Sequence, residues 1–205
     1  MDNIKETILI YPPNKIKDDV FFSKIMSGET EITFQVPKAK IILDRSKNKS
    51  KIVLDEKCTK IIKNISKAVV KETSKQSLKF FEKEISYDDC HDLYREALVD
   101  DNVLNCFYDD NIYIYDKNGE IKITDLEDEF VGIILLKGDV VVYTKTAFYI
   151  RWEIQQIKVK NQQEKSQDTF LKDYYITDLD KDNVPIENEN ENESIGKKLK
   201  ELTLF

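Results

Sequence analysis

The fold is decided by residues 130–159, which read FVGIILLKGDVVVYTKTAFYIRWEIQQIKV. This segment is rich in Val, Ile, Tyr and Phe, which favour β structure, and it is divided only near residues 137–139 and 144–146. From Phe148 to Ile154, large apolar residues alternate with Tyr, Arg and Glu. Such alternation is typical of a strand with one buried and one exposed face. The segment therefore predicts consecutive strands at the centre of a β-rich domain, with Phe148 and Trp152 in its core.

Shorter strand patterns precede this segment. Between residues 31 and 36 every second residue is apolar, and Pro37 is expected to end that strand because it lacks a backbone donor. Asn118-Gly119 is the dipeptide most typical of a tight hairpin turn. Further strands are predicted at residues 6–11, 31–36, 39–43, 51–54, 106–115 and 120–123.

Two helices interrupt the strands. Between Asp55 and about Lys75, apolar residues recur at helical spacing on one face and lysines recur on the opposite face. Ser86 resembles a helix N-cap and predicts a second helix that ends near Val99. The fold class predicted from these patterns is α+β.

The length of 205 residues suits one domain and an extension. Residues 1–160 carry the strand and helix patterns and are predicted to form the domain. Residues 161–205 are polar, include the low-complexity acidic run 187–193, and are predicted to form a flexible tail.

Several protein classes are disfavoured by composition. The longest apolar stretch, residues 131–136, is too short to span a bilayer, and the N-terminus does not resemble a secretory signal. The 3 cysteines are widely spaced and do not suggest a disulfide framework. These features predict an intracellular protein of a reducing compartment, without membrane contact.

No catalytic or metal-binding motif is found. The chain has 1 histidine, His91, and 5 glycines, none of which forms a phosphate-binding loop. Cys90 and His91 are helix neighbours that point in different directions, so they do not form a nucleophile–base pair. We therefore expect no enzymatic activity, no cofactor and no metal.

Charge is strongly segregated along the chain. The net charge is −7, but residues 38–83 contain 14 basic and 5 acidic residues, and residues 84–130 contain 3 basic and 15 acidic residues. A local field attracts a polyanion even when the total charge is negative. The helix at 55–75 carries most of these lysines on one face, which is also the arrangement of an ordinary solvated helix face.

Single-strand nucleic-acid binders combine cations for phosphates with aromatic rings that stack on bases. The predicted phosphate contacts are Arg45, Lys47, Lys49, Lys57, Lys60, Lys63, Lys67, Lys71 and Arg151. The predicted stacking residues are Tyr113, Tyr115, Tyr143 and Tyr149, each on a predicted strand.

A family resemblance supports this interpretation. The residues that carry it are 34–40 (FQVPKAK), 114–120 (IYDKNGE), 126–128 (LED), 135–138 (LLKG) and 146–159 (TAFYIRWEIQQIKV). They resemble a family of proteins from nucleocytoplasmic large DNA viruses, especially mimivirus-like and algal viruses. The closing strands are also similar to those of the poxvirus single-stranded DNA-binding phosphoprotein and, more loosely, of phage single-stranded DNA-binding proteins. The sequence departs from the family pattern at residues 139–143.

The resemblance implies an OB-like antiparallel β-barrel with one or two inserted helices and no cofactor. It also implies single-stranded DNA as the partner, in viral replication, recombination or repair, at the replication site in the cytoplasm or nucleus of an infected cell. The alternative is a structural or adaptor protein of a virion or replication complex that binds no nucleic acid.

The tail suits either function. Many single-strand binders end in an acidic, flexible segment with a terminal aromatic residue that docks partner proteins. Here the acidic run is followed by a basic, amphipathic end, which predicts a helical docking peptide. Its predicted contact residues are Ile195, Leu199, Leu202, Leu204 and Phe205.

Overall fold

The computed structural model of the chain describes residues 7–17 and 19–160, apart from the side chain of Asp110. The predicted tail, residues 161–205, lies outside the described residues. So do the predicted docking residues Ile195, Leu199, Leu202, Leu204 and Phe205. The described part is a mixed α+β fold made mostly of strands, which confirms the predicted class. None of its helices has the length and apolar character needed to cross a membrane.

The described elements are strands β1 to β10 and helices α1 and α2. The strands are β1 (Ile8–Ile10), β2 (Asn14–Lys17), β3 (Val20–Ser27), β4 (Thr30–Asp44), β5 (Lys49–Val53), β6 (Leu98–Val99), β7 (Val103–Asp116), β8 (Gly119–Glu120), β9 (Glu129–Tyr143) and β10 (Phe148–Val159). The helices are α1 (Glu56–Phe81) and α2 (Tyr87–Leu93). Single turns of 3-10 helix lie at Arg45–Lys47 and Ile123–Asp125.

Strands β4, β5, β7, β10 and β9 pair in a closed circuit. β4 pairs with β5, β5 with β7, β7 with β10, β10 with β9, and β9 pairs again with β4. The prediction of purely antiparallel pairing is wrong at one place, because β7 and β10 are parallel. The chain runs back through β9 between these two strands, so β10 has the direction of β7.

The interior of the circuit is filled by alternate residues of each strand. From Phe148 to Ile154 the even-numbered residues are buried and the odd-numbered ones are half-buried, as the sequence predicts. Trp152 is fully buried and meets Phe34 edge-on, with ring centroids 6.0 Å apart. Gly138 lies opposite Trp152, and a Cβ atom there would be 3.3 Å from the indole ring. The glycine therefore leaves the space that the indole occupies.

Two predicted strand breaks are wrong. β4 continues through Pro37, with a register shift between Val36 and Ala39 that accommodates the proline as a bulge. β9 continues through residues 137–139, and the register shift at Asp139 absorbs one extra residue there. In both places a bulge bends a long strand around the circuit without ending it.

Helix α1 begins as predicted but extends further. Asp55 caps it, with the carboxylate accepting a hydrogen bond from the Cys58 backbone N–H at 2.6 Å. The helix continues past Lys75 to Phe81 because Ser77 is buried and Phe80 packs against the core.

Helix α2 begins at the predicted cap, Ser86, but ends at Leu93 and does not reach Val99. The chain leaves the helix because Tyr94 turns into the core, where its hydroxyl donates to Ser66 Oγ at 2.9 Å. Leu98–Val99 then form β6.

Helix α1 lies across one end of the strand circuit. The Thr73 and Tyr143 hydroxyls, from α1 and the last residue of β9, are 3.3 Å apart. The turn at Arg45–Lys47 joins β4 to β5 at the opposite end. The length of β5 separates the two ends by about 17 Å.

Candidate nucleic-acid interface

The outer face of β5 and β7 presents cations beside an aromatic ring. In β5, Ser50 and Ile52 face inward, so Lys49 and Lys51 are exposed on the outer face. Lys49 lies opposite Phe107 of β7, and its Nζ is 5.1 Å from the centroid of that ring. A cation at this distance is attracted to the face of the ring.

Helix α1 carries a continuous lysine stripe on its solvent side. Its buried face, which includes Ile62, Val69 and Thr73, packs on the core, and this leaves the lysines outward. Two lysines of the helix form ion pairs. Lys63 Nζ lies 3.8 Å from a carboxylate oxygen of Asp101, and Lys75 Nζ lies 3.2 Å from one of Glu72. The other lysines of the stripe that were predicted to hold phosphates make no ion pair with a described residue. They are Lys57, Lys60, Lys67 and Lys71.

The basic turn at the opposite end is neutralised. Arg45 donates a hydrogen bond to the Leu126 carbonyl and lies 3.4 Å from an oxygen of Asp128. Lys47 Nζ is 3.5 Å from Asp44. A hydrogen bond from Ser46, with smaller contributions from Lys47, lowers the pKa of Asp44, which is therefore ionised at neutral pH.

Arg151 is also engaged by a carboxylate. Its guanidinium donates twice to Asp139, once from Nε at 3.1 Å. Lys137 lies 3.8 Å from Asp139 and 3.0 Å from Glu31, and this contact, opposed by desolvation, lowers the pKa of Glu31. With Lys24, which lies 3.7 Å from Glu31, these side chains form an ion-pair network on the outer face of the sheet. Arg151 would therefore have to leave Asp139 to hold a phosphate.

Two of the predicted stacking residues are buried, which corrects the prediction for them: Tyr143 packs in the core, and Tyr115 is covered on the face of β7 that it shares with Tyr113. Tyr115 is 2% exposed and Tyr143 is 4% exposed. Tyr143 stacks on Phe148 with centroids 5.5 Å apart, and burial raises its pKa to about 12. Tyr143 is enclosed because α1 covers the end of β9, a contact between distant segments. Neither ring is accessible for stacking on a base.

The other two predicted stacking residues are half-buried on outer faces. Tyr113 lies opposite Gln156 of β10, and its ring is 5.7 Å from that of Tyr115. Tyr149 lies opposite Val142 of β9. Their roles in base stacking stay predictions.

Sequence reasoning missed Phe107, and it placed Lys51 in the basic run before α1 without assigning it a phosphate contact. In β7, Leu104, Cys106 and Tyr108 face inward, so alternation places Phe107 on the outer face. The alternation is visible in the sequence, although the predicted stacking residues of this strand are its tyrosines alone.

The predicted cations thus fall into two groups. Arg45, Lys47, Lys63 and Arg151 pair with carboxylates. Lys49 and the other predicted helix lysines lie on consecutive elements, β5 and α1, that are joined by a short link. The second group, with Lys51, forms the candidate interface. It offers ammonium groups for a polyanion and one phenyl ring for an aromatic ligand.

Residues 37–178 match the model of a family of unknown function, DUF5871, and the chain belongs to that family. No curated protein matches the sequence. Among solved structures, the fold is similar to "Single-stranded DNA-binding protein from bacteriophage Enc34 in complex with ssDNA". That similarity has 9% sequence identity and a TM-score of 0.39, and it covers 75% of this chain and 96% of that chain.

Proposed function

We propose that this protein is a non-enzymatic, OB-like β-barrel protein that binds single-stranded DNA without reading its sequence. An OB-fold is a five-stranded Greek-key barrel. The closed circuit of β4, β5, β7, β9 and β10 supports this assignment. Here α1 is inserted between the second and third strands of the circuit, so it covers the end that also holds the β9–β10 turn.

One observation carries the proposal, namely Lys49 over Phe107 on the outer face of β5 and β7. In OB-folds the face formed by the second and third strands binds oligonucleotides. β5 and β7 hold those positions in the circuit, and their outer face offers Lys49 and Lys51 for phosphates and Phe107 for a base. This combination of contacts is the one that single-strand binding requires.

The helix lysines give this face a favourable field. Residues 38–83, which include β5 and α1, contain 14 basic and 5 acidic residues. Each phosphate that a lysine neutralises releases counterions, so affinity for the backbone is sequence-independent and falls with salt. A polyanion is attracted to this side of the molecule although the net charge is −7.

The setting that we propose is viral DNA replication, recombination or repair inside an infected cell. The support is the resemblance of the closing strands to those of large DNA virus proteins and of the poxvirus single-stranded DNA-binding phosphoprotein. Neither a cofactor nor a chemical step is part of the proposal.

Fluorescence anisotropy with labelled oligo-dT, at two salt concentrations, tests the proposal on the full chain. Wild type should bind at low salt and weaken as salt rises. Phe107→Ala should weaken binding about 10-fold, because base–aromatic stacking supplies about 1–3 kcal/mol per base. Tyr11→Ala, which removes a ring that is 48% exposed on the N-terminal segment, is the matched control and should not change affinity. Absence of binding by wild type at low salt would refute the function.

A second candidate function is an adaptor that binds protein and not DNA. The observation that favours it is a group of exposed apolar side chains on the β1–β3 segment. They are Leu9, Tyr11, Ile16 and Phe21, between 36% and 60% exposed. An adaptor should capture a stable protein partner that is lost on deletion of residues 195–205 or in Ile16→Asp, and it should show no oligonucleotide affinity.

A further inference from the structure

A groove of about 540 Å³ lies between α1 and α2, and its lining includes no residue of β5 or β7. It is lined by Lys67, Ala68, Lys71, Ser74, Lys75 and Tyr87. No carboxylate is among these residues. The groove combines a cationic wall with an aromatic one.

The cationic wall comes from α1. Lys67, Lys71 and Lys75 are each four residues apart, so they lie above one another on one side of the helix. Their aliphatic stems and Ala68 give the groove an apolar floor, and their ammonium groups can stay in water. Lys75 is held by Glu72 at 3.2 Å, whereas Lys67 and Lys71 pair with no described carboxylate.

The aromatic wall comes from the start of α2. Tyr87 is 42% exposed, and its ring lies 6.3 Å from that of His91 at an interplanar angle of 36°. Asp88 directly follows Tyr87, and Asp92 directly follows His91. Each aspartate is therefore rotated about 100° around the helix axis from the ring before it. The side of α2 that carries Tyr87 is therefore the less acidic one.

The width of the groove is fixed by two hydrogen bonds at the entry to α2. The Ser74 hydroxyl donates to the Ile85 carbonyl at 2.9 Å, and the Ile85 N–H donates to the Ser77 hydroxyl at 2.9 Å. Ser77 is buried, so this connection is not open to competition from water. These hydrogen bonds fix the backbone at Ile85, two residues before Tyr87, and so hold Tyr87 opposite the lysines.

We propose that this groove is a second contact site for single-stranded DNA, which rests on the proposed function. Phosphates follow Lys67 and Lys71, and one base stacks on Tyr87. The two sites are connected through α1, which begins just after β5 and presents Lys57 and Lys60 between them. From Lys57 to Lys75 the helix rises about 27 Å, so the bound strand is longer than the face of β5 and β7 alone can hold.

The test compares two oligo-dT lengths by fluorescence anisotropy on the full chain, about 10 and about 30 nucleotides, because a single OB-fold occupies about 4–16. Tyr87→Ala should weaken binding of the longer oligonucleotide about 10-fold and leave the shorter one unchanged within about 2-fold. Lys71→Glu, which reverses a cation of the candidate interface, should weaken both, and the longer one more. Tyr87→Phe should keep wild-type affinity, because the stacking surface remains. The matched controls are Tyr11→Ala and Lys122→Glu, which are exposed outside the groove and should change neither affinity.

The two proposals fail in different ways. If Phe107→Ala weakens both oligonucleotides but Tyr87→Ala binds both as wild type does, the groove is not a contact site and the proposed function stands. If Tyr87→Ala loses affinity equally for both lengths, the groove is part of a single short site and the second-site proposal is overturned. If wild type binds neither oligonucleotide at low salt, both proposals are refuted.

Discussion

The turn at Arg45–Lys47 and the helix α1 are both rich in basic residues, yet only the helix presents free charge. In the turn, each basic side chain lies within 4.0 Å of a carboxylate, and one of the partners, Asp128, is distant in sequence. In α1, the lysines follow one another on successive turns, and the described carboxylates reach only Lys63 and Lys75. A basic run in a sequence therefore indicates a cationic surface only when the fold brings no acidic segment against it.

The largest effect should come from reversing charge on the helix. The triple variant Lys60→Glu, Lys67→Glu and Lys71→Glu should weaken oligo-dT binding by on the order of 100-fold at low salt, because three phosphate contacts are lost and replaced by repulsion. The slope of log affinity against log salt should fall by about 2, since each contact on single strands contributes about 0.7.

The comparison variant is Arg45→Glu with Lys47→Glu in the turn. Because both cations are already neutralised, we expect less than about 3-fold loss and almost no change in the salt slope. Both sets are measured by the same anisotropy titration. A larger loss from the turn than from the helix would reverse the assignment of the interface.

The elements that follow local periodicity were predictable from the sequence. The alternation around Trp152 placed that side chain inside correctly, and the lysine stripe of α1 was predicted from helical spacing. The end of α1 at Phe81, the parallel pairing of β7 with β10, and the path of β4 through Pro37 depend on contacts between distant segments. No local pattern encodes those contacts.

The candidate site was less predictable than the strands and helices. A binding residue must have a suitable side chain, and that side chain must also be exposed and unpaired. Tyr143 met the first condition, but α1 covers it. Arg45 also met it, but Asp128 neutralises it. Lys49 over Phe107 combines two strands whose register only the folded chain fixes, although the inward and outward alternation of each strand could be read in advance.

A smaller effect, on the free energy of unfolding, should distinguish the cations held by carboxylates from the helix lysines that have no such partner. Arg151→Gln should lower the free energy of unfolding by about 1 kcal/mol, because its charge-assisted hydrogen bonds to the partly buried Asp139 are lost. Lys67→Gln, at an exposed position without such a partner, should stay within about 0.5 kcal/mol of wild type. Urea denaturation measures both values.

The same pair of variants tests the original prediction for Arg151. If Arg151 is a structural cation, its glutamine variant should bind oligo-dT as wild type does, whereas Lys67→Gln should bind the longer oligonucleotide more weakly. An equal loss of affinity in both variants would mean that Arg151 exchanges Asp139 for a phosphate when DNA binds.

The smallest effect concerns acid stability within the network. Lys137 holds the pKa of Glu31 below its ordinary value of 4.5, so the charged form of Glu31 stabilises the fold. A carboxyl group with a lowered folded pKa contributes stability above its unfolded pKa and loses it as the pH falls through the folded pKa. Glu31→Gln should therefore flatten the decline of unfolding free energy below about pH 4.5, by less than about 1 kcal/mol because the pair is partly solvated.

Glu120→Gln, which removes an exposed glutamate outside the network, is the control for this measurement. If it flattens the acid limb as much as Glu31→Gln does, the effect is one of general charge and not of the pair with Lys137. If instead Glu31→Gln alone changes the limb while oligo-dT affinity at neutral pH is kept, the network is structural. The free cations of α1 and β5 would then be the ones available to DNA.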